Sequence, residues 1–157
     1  MIVGVLGSDV FVYVMITRRL REAGFRATPQ RVAIYMTLAQ TKTHPCAERI
    51  YEELHQEFPS LSLNTVYKTL QTFEELGLIR RLDIGEGMYR YDANPAPHIH
   101  LACKACGEVL DIDYDGENIL ETMSQYVKEN GGHEVCDFNL ILYGYCHDCS
   151  RRETDSN

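Results

Sequence analysis

Residues 60–92 read SLSLNTVYKTLQTFEELGLIRRLDIGEGMYRYD, and their periodicity changes halfway. Val66, Leu70, Phe73 and Leu76 recur at the spacing of one helical face, in a helix that opens at Ser62 or Asn64 and closes at Gly77. From Leu78 onward the pattern is that of strands: residues 78–84, a turn at Gly85-Glu86-Gly87, then residues 88–92, together a hairpin. Upstream, residues 16–23 form a first helix ended by Gly24. Thr28-Pro29-Gln30-Arg31 supplies an N-cap followed by proline at the first helical position, which opens a second helix to about Gln40. A third helix spans residues 47–58 and stops near Pro59. Short helices leading directly into a hairpin follow the order of a winged helix-turn-helix, whose last helix enters the DNA major groove. The exposed start of that helix holds Asn64, Thr65, Tyr67, Lys68 and Thr69. Tyr67 offers its ring to a thymine methyl and Lys68 reaches phosphate or guanine. For Tyr67 the competing reading is a core aromatic.

A net charge of −8 argues against a nucleic-acid partner until it is divided along the chain. Residues 15–92 carry 11 Lys/Arg against 10 Asp/Glu, whereas residues 93–157 carry 4 against 12. Arg18, Arg19, Arg21, Arg26 and Arg31 face only Glu22, forming a local basic patch suited to phosphate. The apolar residues 1–14 make a poor membrane anchor or signal peptide, since Asp9 interrupts them and the first basic residue is Arg18. They read as a disordered extension or as an upstream start, with Met15 opening the folded part. Pro95 and Pro97 mark residues 93–97 as a hinge between a DNA-binding domain over residues 15–92 and a second domain over residues 98–152, with 153–157 a tail. In the second domain, strands at 98–102 and 108–114 flank a cysteine turn, residues 117–129 form an amphipathic helix, and residues 137–145 alternate as a strand. The overall class is α+β. A unit of that size buries little core by itself, so bound metal and a second copy of the chain are expected to supplement it.

Four of the six cysteines form two C-x-x-C pairs, Cys103/Cys106 and Cys146/Cys149. Two such turns brought together complete the closed Cys₄ set that Zn²⁺ takes in structural sites. The rival readings are redox pairs or disulfides. They are weaker in a chain with reduced, cytoplasmic cysteine usage, and because neither C-x-x-C is expected to open a helix after a buried strand. His98 and His100 alternate onto one face of a strand, and Asp111 stands on the returning strand. Imidazoles with carboxylates make a mixed N/O site for Fe²⁺, Mn²⁺ or Zn²⁺. His44 and Asp92 lie in the first domain, and spacing alone does not join them to this site. A mononuclear metalloenzyme built on His98, His100 and Asp111 lacks a nucleophile or general-base motif and leaves the winged helix idle, so the chain is not read as an enzyme. A zinc adaptor that binds only protein leaves the histidines unexplained. Cys46 and Cys136 have no assigned role.

The strings ATPQRVAIYMTLAQTKTHPCAERIYEEL, SLSLNTVYKTLQTFEELGLI, YRYD, HIHLACKACGEVLDID and LYGYCHDC occur in an order that resembles the ferric uptake regulator family. That resemblance implies a dimeric, metal-dependent repressor that binds A/T-rich palindromic double-stranded DNA. It implies His44, Asp92, His98, His100 and Asp111 as ligands of a regulatory Fe²⁺ or Mn²⁺, and Cys103, Cys106, Cys146 and Cys149 as the structural zinc set. Arg31 matches a backbone-contacting position, and Arg21 or Arg26 is placed to enter the minor groove. The iron-uptake branch carries HHDH and Glu where this chain has PHIH and Asp at both Asp92 and Asp111, and often a His where this chain has Phe138. The resemblance therefore leans toward the peroxide-sensing branch, in which iron-catalysed oxidation strikes a ligand histidine, here His44 or His98. Sensing of iron availability is the alternative.

Overall fold

A computed structural model describes residues 3–85, 87–112 and 119–154. The chain divides into two compact units, 1–95 and 96–157.

The first unit contains α1 (Val3–Glu22), α2 (Pro29–Ala39), α3 (Ala47–Leu54) and α4 (Leu63–Glu75), then β1 (Arg80–Asp83) paired antiparallel with β2 (Tyr89–Asp92). This is the expected winged helix, and its boundaries follow local chemistry. The Thr28 side chain accepts from the Arg31 N–H and Ser62 from the Thr65 N–H, each satisfying a donor the helix cannot. After α4 the backbone turns at Gly77 with φ +62°, the left-handed conformation that glycine adopts without Cβ strain. Ile16, Leu20, Ile34, Leu38, Ile50, Val66, Leu70 and Phe73 are sealed in one core, with Tyr35 edge-on to Phe73 at 5.6 Å.

α1 departs from the expectation. It begins at Val3 rather than Ile16, inside the segment read as a disordered extension. Val12 and Met15 continue the face of Ile16 and Leu20 and pack against the same core, and Gln40 donates to Asp9 at 3.3 Å. α3 ends at Leu54, short of the expected Phe58, and only single turns follow. Among the described residues no helix is long and apolar enough to cross a membrane.

The second unit contains β3 (Ile99–Cys103), β4 (Val109–Ile112), α5 (Ile119–Gly131), β5 (Leu140–Gly144) and α6 (His147–Thr154). The sheet order is β4-β3-β5, with β3 antiparallel to β4 and parallel to β5. Expected strand residues 113–114, the start of the expected helix at 117–118, Glu86, Met1, Ile2 and residues 155–157 lie outside the described residues. α6 was not foreseen, and it takes in the start of the segment read as a tail. HDCSRRET carries no apolar stripe to announce a helix. Its presence also corrects one expectation, because the second C-x-x-C does lead into a helix after a strand. Buried apolar side chains are few here: among the described residues Ile99, Ala102 and Val109 join three of the cysteines.

Phe73 sits in the first unit's core at no solvent exposure. Phe73→Ala should destabilise that unit by about 3 to 5 kcal/mol in chemical denaturation, through lost transfer energy and a residual cavity. A loss below 1 kcal/mol, on the order of a surface change, would contradict this core assignment.

Candidate metal centres and nucleic-acid interface

Parallel pairing of β3 with β5 sets the C-terminal ends of both strands side by side, Cys103 opposite Gly144. Each strand runs straight into a Cys-x-x-Cys turn, so the pairing alone brings the two turns together. Lys104 N–H donates to the Gly144 carbonyl at 2.7 Å and Cys146 N–H to the Cys103 sulfur at 3.3 Å, locking the turns. The four sulfurs lie within 4.8 Å of one another, and all six cysteines of the chain are free thiols. Cys106 and Cys146 sulfurs are 3.8 Å apart. Zinc–sulfur bonds of about 2.3 Å at tetrahedral angles place sulfurs about 3.8 Å from each other. A disulfide requires roughly 2 Å. The donor set therefore fits a structural zinc. The Cys106 and Cys146 backbone N–H groups pull the Cys103 thiol down to about 6, while hydrogen bonding to Cys146 and burial push Cys149 up to about 12. Zinc loading accordingly displaces protons, and acidification favours release of the metal.

A second donor cluster stands at the other end of β3. His100 pairs across the sheet with Asp111 on β4, and its Nε2 lies 3.6 Å from the Asp111 Oδ1. His98 Nε2 approaches the same oxygen at 3.0 Å, with the two rings 4.2 Å apart. His98 Nδ1 is 2.8 Å from the Ala96 carbonyl, which can only accept, so Nδ1 carries the proton. In the neutral ring Nε2 then points a lone pair at a carboxylate, an arrangement that a cation between them satisfies. His100 has no solvent exposure.

The first unit supplies its own pair. His44 Nε2 lies 3.7 Å from the Asp92 Oδ2, both side chains being buried. His44 is the only described non-glycine residue with positive φ, +47°, a conformation disfavoured further by the proline that follows it. The Tyr91 N–H donates to the Pro45 carbonyl at 3.1 Å, tying this loop to the strand that ends in Asp92. Strain of this kind persists where surrounding structure over-determines it, most often at functional sites. Nothing in the spacing of THP announces the strain.

Along α4, Asn64, Tyr67 and Lys68 are exposed, Thr65 is half-buried with its hydroxyl on Ser62, and Thr69 is buried, which removes it from the reading face. Tyr67, at 41% exposure, is no core aromatic. Arg21 and Arg26 are exposed. Arg31 donates to the Arg26 carbonyl at 2.9 Å and lies over the Phe25 ring, bracing the turn before α2. Sequence reasoning missed Glu48, whose carboxylate accepts from the Tyr67 hydroxyl. The two residues are 19 positions apart on different helices, beyond any periodicity signal.

A winged helix, a small α/β domain closed by four thiols and a histidine-carboxylate cluster together define a metalloregulator of the winged-helix class. The chain belongs to the ferric uptake regulator family, whose sequence profile matches residues 22–143. It is 36% identical over 130 residues to the peroxide-responsive repressor PerR of Staphylococcus aureus (strain Mu50 / ATCC 700699), spanning 83% of this chain and 86% of that one. Similar solved structures include the ferric uptake regulator from Pseudomonas aeruginosa with manganese, at 32% identity and a TM-score of 0.67 over 83% of this chain and 97% of that one. Another is a Campylobacter jejuni peroxide stress regulator, at 29% identity and a TM-score of 0.66 over 86% and 96%.

Cys103→Ser should release the structural zinc, read with a chromogenic chelator, and abolish the thermal transition of the second unit while the winged helix stays folded. Full zinc retention with an unchanged transition would overturn the Cys₄ assignment.

Proposed function

We propose that this chain is a metal-dependent transcriptional repressor that senses peroxide. The observation that carries the reading is the convergence of His98 and His100 on one oxygen of Asp111, matched in the other unit by His44 beside Asp92. We infer that these five residues bind a single regulatory ion, so that the ion favours the arrangement of the two units in which they meet. A ligand that prefers one arrangement shifts the population toward it by its differential affinity. The structural zinc takes no part in this choice, because a closed Cys₄ set leaves no ligand position open.

On the nucleic-acid side, α4 is the reader, with Asn64, Thr65, Tyr67 and Lys68 toward the bases. Arg21, Arg26 and Arg31 supply phosphate or minor-groove contacts. The chain acts in the cytoplasm as a homodimer on A/T-rich palindromic DNA. Met123, Tyr126, Leu142 and Tyr143, exposed on α5 and β5, support a second copy covering them. Similarity to the staphylococcal peroxide-responsive repressor and the aspartates at 92 and 111 support peroxide as the signal. Fe²⁺ held by these five residues would supply the redox chemistry by which hydrogen peroxide oxidises the imidazole of His44 or His98: one peroxide oxygen would be added to a ring carbon, the ring giving up the two electrons, and the other would leave as water. Loss of an imidazole donor then weakens the set and frees the units to separate from DNA.

In a gel-shift titration on an A/T-rich palindrome, added Mn²⁺ or Fe²⁺ should tighten binding about 5- to 150-fold. Affinity indifferent to either ion would overturn the repressor reading. After dilute peroxide, the iron-loaded protein should carry one added oxygen atom on the peptide holding His44 or His98 and lose its DNA affinity. Unmodified peptides with binding retained would assign the protein to iron sensing instead.

A further inference from the structure

Glu48, in the first turn of α3, stands on the same side of the first unit as the reading helix, and its carboxylate accepts the phenol proton of Tyr67. A carboxylate on a DNA-facing surface opposes the approach of phosphates, so its placement there calls for a compensating role. Its place in the first turn of α3 accounts for the charge in part, since the helix N-terminus favours a carboxylate, but that effect does not require a bond to Tyr67. Orientation accounts for the bond. Beside the pair lies a cavity of about 300 Å³ between α3, α4 and the wing, lined by Cys46, Met88, Tyr89 and Tyr91 together with Glu48 and Tyr67 themselves. An untethered ring gains by turning further against Met88, Tyr89 and Tyr91 and away from solvent. The hydrogen bond fixes the hydroxyl end of a ring that remains 41% exposed. It also occupies the only proton the phenol can donate, so toward a base the hydroxyl oxygen can only accept while the ring offers an apolar face.

We propose that Glu48 is a positioning residue for DNA reading: it tethers the Tyr67 hydroxyl so that the aromatic ring is presented to the thymine methyl. This rests on the assignment of α4 as the reader. The phenol is pushed up to about 12, chiefly by the bond to Glu48, and the same bond holds the Glu48 carboxyl below its ordinary range, so the donor and acceptor roles are stable across the neutral range. Toward a thymine methyl, Tyr67 then acts through its ring. Deleting the tether removes discrimination, while deleting the charge alone strengthens non-specific binding. These effects have opposite signs, which separates them from simple misfolding.

The test uses manganese-loaded full-length protein and a duplex enriched by it from a random pool, compared with the same duplex carrying deoxyuridine in place of thymidine. Wild type should prefer the thymine duplex by about 4-fold for each methyl buried. Glu48→Ala should lose that preference with an unchanged melting temperature, and Tyr67→Phe should lose it equally, with no further loss in the double variant. Glu48→Gln, which keeps an acceptor without the charge, should retain the preference and bind random DNA more tightly. A wild-type preference that survives intact in Glu48→Ala would overturn the tether alone. If Tyr67→Phe weakened both duplexes alike, the hydroxyl would be a DNA contact and the proposal would fail. A wild type with no thymine preference would overturn Tyr67 as a thymine reader, and the tether with it, while metal-dependent binding would still stand or fall on the gel shift.

Discussion

The parallel pairing of β3 with β5 is the constraint on which the second unit depends. It sets Cys103 opposite Gly144 and so places two cysteine turns, with β4, α5 and β5 between them in sequence, at one end of the sheet. Without that register the four thiols do not meet, and without the thiols the unit has, among the described residues, only a few buried aliphatic side chains to hold it. The dependence runs both ways: a metal that closes the tetrad also fixes the strand pairing. The same strand, β3, carries His100 and begins directly after His98, so the structural staple holds the sheet at which the proposed sensing residues of this unit stand.

In the first unit, one of the proposed sensing residues sits on strained backbone. His44 keeps a left-handed backbone immediately before a proline, anchored by the Tyr91 to Pro45 hydrogen bond. α3 begins two residues beyond Pro45, and its first turn carries Glu48, which holds Tyr67. The loop that holds His44 and the helix that holds Tyr67 are therefore joined through a single short helix. A donor group that is already positioned loses less entropy when it binds, which favours tighter binding of the ion.

Much of the winged helix was legible because its signals are local. Thr28, Ser62 and Gly77 mark boundaries through capping chemistry that operates within a few residues, and the face of Val66, Leu70 and Phe73 repeats within one helix. The Cys₄ set was legible for a related reason, since thiols in two tight turns have few other uses. What spacing did not reveal is long-range or lacks a pattern. Alternation at residues 137–145 indicates a strand but carries no information about which neighbour it joins or in which direction. The start of α1 was hidden because residues 1–14 are apolar on nearly every side, so no stripe separates the packed Val12 from the exposed Phe11. α6 offers no apolar stripe, and the Glu48 to Tyr67 bond crosses between helices. His44 and Asp92 joined the sensing residues only through family resemblance.

The central claim is that one ion and one DNA site are coupled through this chain, and such coupling is reciprocal by thermodynamic necessity. The most direct measurement is the Mn²⁺ dissociation constant of the zinc-loaded protein, by calorimetry or competition with a chelator, with and without saturating A/T-rich operator duplex. The account predicts that the duplex tightens Mn²⁺ binding by the same factor by which Mn²⁺ tightens DNA binding. A Mn²⁺ affinity unchanged by DNA would contradict it.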